Sequence, residues 1–321
     1  MKILITGGTG FVGRHLLEAL NGRHRVAVLV RDEAKLRQAP FPQRISVIHG
    51  DLFASQPFPE DLDLVFHLAA VTKALSSGEF MQVNHQGTLA LLERLKRLRG
   101  KPKVVLLSSL AAAGPSPGNR PLSEKAAARP VSLYGWSKLR QEEAVMANGR
   151  LPYLIIRAPI VFGPGDMDLL DIFKMVKRGL SPEMGREKRW YSIIYVKDLA
   201  RGLAALGHSR LANETFYLAN PEPVLWDELI DTAARLLDVT SLRRVRVPRA
   251  LVRSLAEISQ WRGRLFKQRV IFNRDKFREI NCPAWTCSPE KVRRRLQLPP
   301  FAALEESLAA TLDWYQDNRL L

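Results

Sequence analysis

The stretch Thr6-Gly7-Gly8-Thr9-Gly10-Phe11-Val12-Gly13 decides the fold. It follows a short apolar run over residues 3–6 and opens an apolar period of helical type over 10–20. Glycines at 7, 10 and 13 give a G-x-x-G-x-x-G spacing. Glycine permits a tight turn after the strand and lets main-chain N–H groups approach a pyrophosphate at the positive end of the helix. The third glycine allows strand and helix to pack closely. Gly7, Gly10, Phe11, Val12 and Gly13 are therefore the expected cradle of a dinucleotide cofactor.

Working outward, strand-like runs recur at 25–30, 45–49, 64–68, 104–108 and 153–156. Helical periods fit between them at 80–98 and 132–147. Short β-rich runs separated by amphipathic helices require crossover connections, hence a parallel sheet covered on both faces. The expected class is α/β, a doubly wound parallel Rossmann-type sheet with ligands beyond the carboxyl ends of its strands. After Pro159 the alternation turns irregular, punctuated by Gly163-Pro164-Gly165, Asn220-Pro221-Glu222-Pro223 and Pro299-Pro300. Helices are predicted there at 166–178, 196–206, 226–237, 248–261 and 304–318. The pattern predicts a dinucleotide-binding domain over 1–160, with later contributions near 189–220. A smaller, mostly helical substrate cap is interleaved over 161–321.

The 321 residues are 46% hydrophobic and 25% charged, ordinary for a folded chain. No apolar run approaches the roughly 18 residues that a spanning helix needs. The first strand begins beside Met1 and leaves no room for a leader, so a cytoplasmic location is expected. Cys282 and Cys287 flank a proline with no histidine at ligand spacing, which supports neither a zinc site nor a disulfide framework, and no metal is expected. The net charge is +17. Twelve of the basic residues crowd into 243–278, opposed only by Glu257, Asp275 and the adjacent Glu279. Without a nucleic-acid fold signature or an aromatic stacking series among them, no nucleic-acid partner is expected. A solvated basic face is the preferred reading, and a weak contact with an anionic surface is the alternative.

Of the six tyrosines only Tyr134 has a lysine four residues on, Lys138, a spacing that puts both side chains on one helical face. A neighbouring ammonium favours the phenolate of a group that ordinarily titrates at about 10. Tyr134 then exchanges a proton with an alcohol or ketone while a nicotinamide exchanges hydride. Ser109, at the end of the fifth predicted strand, has a hydroxyl suited to polarising the substrate oxygen.

Further segments follow in order: Gly50-Asp51-Leu52, His67-Leu68-Ala69-Ala70, Asn84 in an N-x-x-G-T run ending at Thr88, Ser108-Ser109, Tyr134 to Lys138, Arg157 to Pro164, and Tyr195 to Ala200. Together with the glycine spacing, they resemble the extended branch of the short-chain dehydrogenases/reductases, the epimerase/dehydratase-like family. The resemblance implies that Asp51 and Leu52 contact adenine and that Leu68, Ala69 and Ala70 line its ribose. It implies that Lys138 bonds the nicotinamide ribose and that Pro159 holds the following backbone against the carboxamide. It aligns Ser109, rather than Ser108, with the family's site serine, and it carries the expectation of a homodimer.

At the end of the second strand, Arg31 is placed to neutralise a ribose 2′-phosphate, with Lys35 one turn later. NADP is the preferred cofactor. NAD, its ribose held by Asp32, is the alternative.

For the small-molecule substrate, many nucleotide-sugar enzymes of the family carry a diphosphate-binding arginine seven residues before the aspartate matching Asp198. Here that position is Tyr191, with Arg186, Lys188 and Arg189 nearby. The helix expected at 248–261 has apolar positions at 251, 252, 255, 258 and 261, and the preferred reading packs them against the cap. The same stretch resembles the region covering apolar substrates in steroid-dehydrogenase-like members. With Trp190, Trp226, Trp261 and Phe266, this favours a hydroxyl/carbonyl interconversion on an apolar molecule. A nucleotide-sugar epimerase or dehydratase is the alternative, and a non-catalytic sensor or assembly protein a third reading that the retained Tyr134 and Lys138 oppose.

Overall fold

The computed structural model describes the chain apart from residues 21, 23, 38–44, 75, 119, 186 and 267–272, and only the backbone of 35, 37, 77, 264 and 265. Arg186, Lys267 and Arg269, and the side chain of Lys35, thus lie outside the described parts.

Strands β1 (Lys2–Thr6), β2 (Arg25–Val30), β3 (Ile45–His49), β4 (Leu64–His67), β5 (Lys103–Ser109) and β6 (Tyr153–Ala158) join a strand over Glu214–Tyr217. They form one seven-stranded parallel sheet. From one edge the order is β3, β2, β1, β4, β5, β6 and Glu214–Tyr217. The sequence reading finds the first six strands to within two residues at their ends. It omits the seventh, whose Glu-Thr-Phe-Tyr has only two fully buried residues and a weak apolar signal.

Successive residues of β1 separate onto opposite faces, as the two-residue strand period demands. Ile3 and Ile5 pack with Leu16 and Leu17 of α1 (Phe11–Ala19), and with Leu199 and Leu203 of a helix over Val196–His208. Leu4 packs on the other face with Leu91, Leu92 and Val145. After the short α2 (Ala34–Arg37) and α3 (Ser77–Phe80), those three lie on α4 (Gly87–Lys96) and, beyond α5 (Leu110–Ala113), on α6 (Leu133–Met146). A third cluster builds the C-terminal part, where Phe173, Leu229, Ala233, Leu308 and Tyr315 meet from three helices.

Two expected helices differ. The period over 80–98 is broken by a π-helical turn, Met81–Gln86, between α3 and α4. The widened turn carries the buried Asn84, whose amide grips both main-chain groups of Val71. Residues 166–169 stay outside the helix that begins at Leu170, because the Asp166 carboxylate caps the turn through the Asp168 N–H.

The helix over 248–261 forms, as Arg249–Leu265, but its apolar stripe does not pack against the cap. Leu251, Leu255, Ile258 and Trp261 are exposed, and Ala256 and Gly263 make the buried contact instead. A helix over Arg274–Ile280, unforeseen in the sequence, packs beside it.

Candidate active site

In the strand order the chain turns to opposite edges from β1 and β4, so a crevice opens beyond their carboxyl ends. The turn after β1 and residues 68–70 after β4 meet there. Gly7 has φ +77°, and a Cβ on it would lie 2.7 Å from the Ala69 nitrogen. A Cβ on Gly13 would lie 2.2 Å from the Gly7 carbonyl oxygen, so only glycine lets α1 start this close to the turn. No side chain caps the start of α1, and its first turn holds no acidic residue. Its first N–H groups and the positive end of its dipole are left to an anion. Phe11 packs under the second loop at Gly165, and His15 Nε2 bonds the Pro164 carbonyl at 2.8 Å. This cradle fits a dinucleotide pyrophosphate.

Asp51 Oδ1 accepts the N–H groups of Phe53 and Ala54 at 2.9 and 2.8 Å, fixing a turn beside the buried Leu52. Leu52 in turn packs against Gly87. Arg31 is exposed, and no ion pair to it is found among the described residues, whereas Asp32 Oδ1 is engaged by the Ala34 N–H at 3.0 Å. Pro159 joins β6 to a strand over Ile160–Phe162 that pairs with Ile193–Tyr195. Beyond that pair, Asp198 is buried, paired with Arg201, and accepts the Ala302 N–H at 2.9 Å.

Ser109 ends β5 and caps α5, its Oγ accepting the Ala111 N–H at 3.1 Å. A Cβ on Gly135 would sit 2.4 Å from the Ala111 carbonyl oxygen, so glycine there lets α6 lie directly on α5. This brings the Tyr134 phenol beside Ser109. Burial pushes the phenol well above its ordinary range, and the Ser109 contact offsets only part of that rise. Ser108 is otherwise engaged. Its hydroxyl donates to Glu142, which forms a buried, two-pronged ion pair with Arg157 at 2.7 and 3.0 Å.

The structure corrects the expected lysine–phenol pair. Lys138 Nζ donates to the Leu107 carbonyl at 2.8 Å and to Gln141 Oε1. No lysine lowers the Tyr134 pKa, and the tyrosine is held in its protonated form. Spacing puts two residues on one face but does not choose their acceptors, and here the Leu107 carbonyl of β5 takes the ammonium. Burial lowers Lys138 to about 7 against the opposing pull of Glu142.

Gln141 continues the network inward. Its Nε2 donates to Thr88 Oγ1 at 2.8 Å, and Thr88 gives its one proton to the Asn84 carbonyl at 2.6 Å. Thr88 can then only accept from His67 Nε2, 2.8 Å away, which leaves Nδ1 to accept from the Thr6 hydroxyl at 2.7 Å. The 3.2 Å approach of Gln141 Nε2 to His67 Nε2 is therefore donor against donor, a contact without a bond. Burial, and secondarily the Lys138 charge, depress His67 to about 3, so it is neutral. Gln141, Thr88 and His67 were not singled out in the sequence as site residues. The i, i+3 spacing of Lys138 and Gln141 is the signal that was available.

At the start of α6, Asp275 accepts the Leu133 and Tyr134 N–H groups at 2.6 and 3.1 Å, while Ser132 caps Gly135 and donates to Glu279. Tyr134 packs against an apolar cluster that includes Leu110 and Trp285, as do Val131, Tyr191 and Cys282, and Phe80 lies 6.1 Å from Tyr134 between ring centroids. Arg189 is spent on the main-chain carbonyls of Met184, Ile280 and Cys282. Both cysteines are free thiols.

The model of the NAD dependent epimerase/dehydratase family matches residues 3–219. The chain belongs to that family. It is thus a nicotinamide-dependent enzyme of the extended short-chain dehydrogenase/reductase type. It is 29% identical to a ceramide reductase of Caulobacter vibrioides over 98% of this chain and 94% of that one. It is 26% identical to the decarboxylating sterol-4-alpha-carboxylate 3-dehydrogenase of Candida albicans over 99% and 98%. The Bacillus cereus UDP-glucuronic acid 4-epimerase, solved with UDP-glucuronic acid and NAD, shares the fold at a TM-score of 0.76 and 21% identity, covering 99% of this chain and all of that one. Among the described residues no helix is long and apolar enough to cross a membrane.

Proposed function

We propose that this enzyme is an NADP-dependent reductase acting on a carbonyl of an apolar, lipid-like molecule, with Tyr134 as proton donor, Ser109 as its partner and Lys138 on the cofactor ribose. The observation that carries the reading is the apolar cluster against which Tyr134 packs, with Tyr191 where nucleotide-sugar enzymes hold an arginine and Arg189 engaged by carbonyl oxygens. A diphosphate would meet no free described guanidinium there. The ceramide and sterol relatives point to the same substrate class.

Bound in the crevice, the nicotinamide supplies or takes the hydride. Gly7, Gly10, Phe11, Val12 and Gly13 hold its pyrophosphate, Asp51, Leu52 and Leu68 to Ala70 its adenosine half, and Pro159 the backbone at its carboxamide. Arg31 supports a 2′-phosphate, since Asp32 is occupied by its own turn. Residues 1–160 carry the cofactor and 161–321 the substrate cap, and the enzyme works in the cytoplasm.

Ser109 and Tyr134 both bond the substrate oxygen. As negative charge grows on that oxygen, the Tyr134 proton passes to it and the Ser109 hydroxyl stabilises it. Burial keeps Tyr134 protonated, the form in which it can act as proton donor to a carbonyl oxygen.

Stoichiometric loss of NADPH with a long-chain ketone substrate tests this. Turnover of UDP-sugars with tightly retained NAD, and none with apolar carbonyls, would overturn it.

A further inference from the structure

One face of the helix Arg249–Leu265 carries side chains that no other described element covers. Leu251 is 50% exposed, Leu255 47%, Ile258 55% and Trp261 65%, and Phe266 follows just past the helix end, also exposed. At about 100° per residue, Leu251, Leu255 and Ile258 fall within about 60° of one another on the wheel. The stripe is therefore continuous, and it points away from the buried Ala256 and Gly263. Scattered exposed apolar residues need no explanation, but a stripe of large ones does.

The charge around it is one-sided. Segment 243–279 holds twelve basic residues and three acidic ones. The acidic groups are already taken. Glu257 pairs with Arg253 and Arg274, Glu279 with Lys276, and Asp275 with the N-terminus of α6. Arg243, Arg246, Arg262 and Arg278 are exposed, and none has an ion pair among the described residues. Val245, between Arg244 and Arg246 on the adjoining strand Arg243–Val247, adds another exposed apolar side chain.

We infer that this face docks on an anionic lipid surface, the apolar stripe entering the headgroup boundary and the unpaired arginines meeting lipid phosphates. Apolar side chains with flanking unpaired cations are the pattern of a helix lying in the plane of a membrane interface. A second copy of the chain would bring a second cluster of unpaired arginines against the first, so charge complementarity selects the lipid. The inference does not depend on the substrate reading, because docking precedes turnover and is measured without it. The docked helix packs against Arg274–Ile280, whose Asp275 holds the start of the catalytic helix.

The test is flotation of the full-length protein with vesicles of phosphatidylcholine alone and of phosphatidylcholine with phosphatidylglycerol, at low and high salt. Binding is expected to the anionic vesicles only, to weaken with salt, and to fall by about tenfold or more in Ile258→Asp and in Arg246→Glu/Arg262→Glu. These exposed substitutions leave NADPH affinity and the melting temperature unchanged, which separates lost docking from lost folding. Absence of binding to anionic vesicles, equal binding to neutral ones, or binding that Ile258→Asp leaves intact would overturn the inference. So would a dimer in solution that Ile258→Asp dissociates.

Discussion

Lys138 Nζ is directed at the Leu107 carbonyl and at Gln141 Oε1, one helical turn further along α6, and not at the Tyr134 hydroxyl. Gln141 is thereby a positioning residue: its other end is fixed by Thr88, whose hydroxyl is fixed by Asn84. Gln141→Leu is expected to lower kcat/KM by about ten- to hundredfold, the scale of one hydrogen bond to a charged group. Gln141→Glu puts a carboxylate beside the ammonium and raises the Lys138 pKa from about 7. The alkaline limb of the kcat/KM profile for reduction should then move upward. A limb that stays in place would leave Gln141 only a packing role.

Tyr134→Phe removes the proposed proton donor but keeps the ring that packs near Phe80. The expected loss in kcat is about 10²- to 10⁴-fold, with NADPH affinity kept, as read by single-turnover kinetics beside a binding titration. Lys138→Arg replaces a group titrating near 7 with one that stays charged. The inflection near neutrality should vanish from the reductive profile even though absolute activity falls.

The sheet and the cofactor turn were legible because both rest on local signals. Two-sided burial of parallel strands leaves continuous apolar runs in β1, β2 and β5, and Gly7 and Gly13 stand where a Cβ would strike backbone. Tyr134 and Ser109 stand side by side where α6 lies on α5, but the acceptors of Lys138, the Leu107 carbonyl and Gln141, were not readable from spacing. The stripe of Leu251, Leu255 and Ile258 carried a correct helical period and an incorrect partner. Periodicity states which face is apolar and is silent on what lies opposite. Asp275 was beyond reach, since its contact with Tyr134 spans 141 residues.

Arg31→Ala separates the two cofactors. With Asp32 turned into its own loop, Arg31 is the described charge next to the expected ribose site. Loss of one charge-assisted contact should weaken NADPH by about ten- to hundredfold and leave NADH within about twofold. Titration of both nucleotides by fluorescence checks this, and an equal change in the two would remove the 2′-phosphate role.

His67 links the interior of the site to stability. Burial holds its folded-state pKa near 3, against 6.5 in the unfolded chain. Between those values the unfolded state binds a proton that the folded state does not, so stability is lost as pH falls through that window and is fully present above it. The slope reaches at most about 1.4 kcal/mol per pH unit, and the change integrates to about 1.6 kcal/mol between pH 6.5 and 5. Asp166 acts oppositely, because burial raises its carboxyl to about 6 and acid relieves that strain. Comparing wild type with His67→Gln cancels the Asp166 contribution, since it is common to both. Urea unfolding at pH 6.5 and 5 should show the wild type losing more stability than the variant by an amount near that estimate. Parallel losses would mean that His67 already carries its proton in the folded protein, and Nδ1 would then donate to the Thr6 hydroxyl instead of accepting from it.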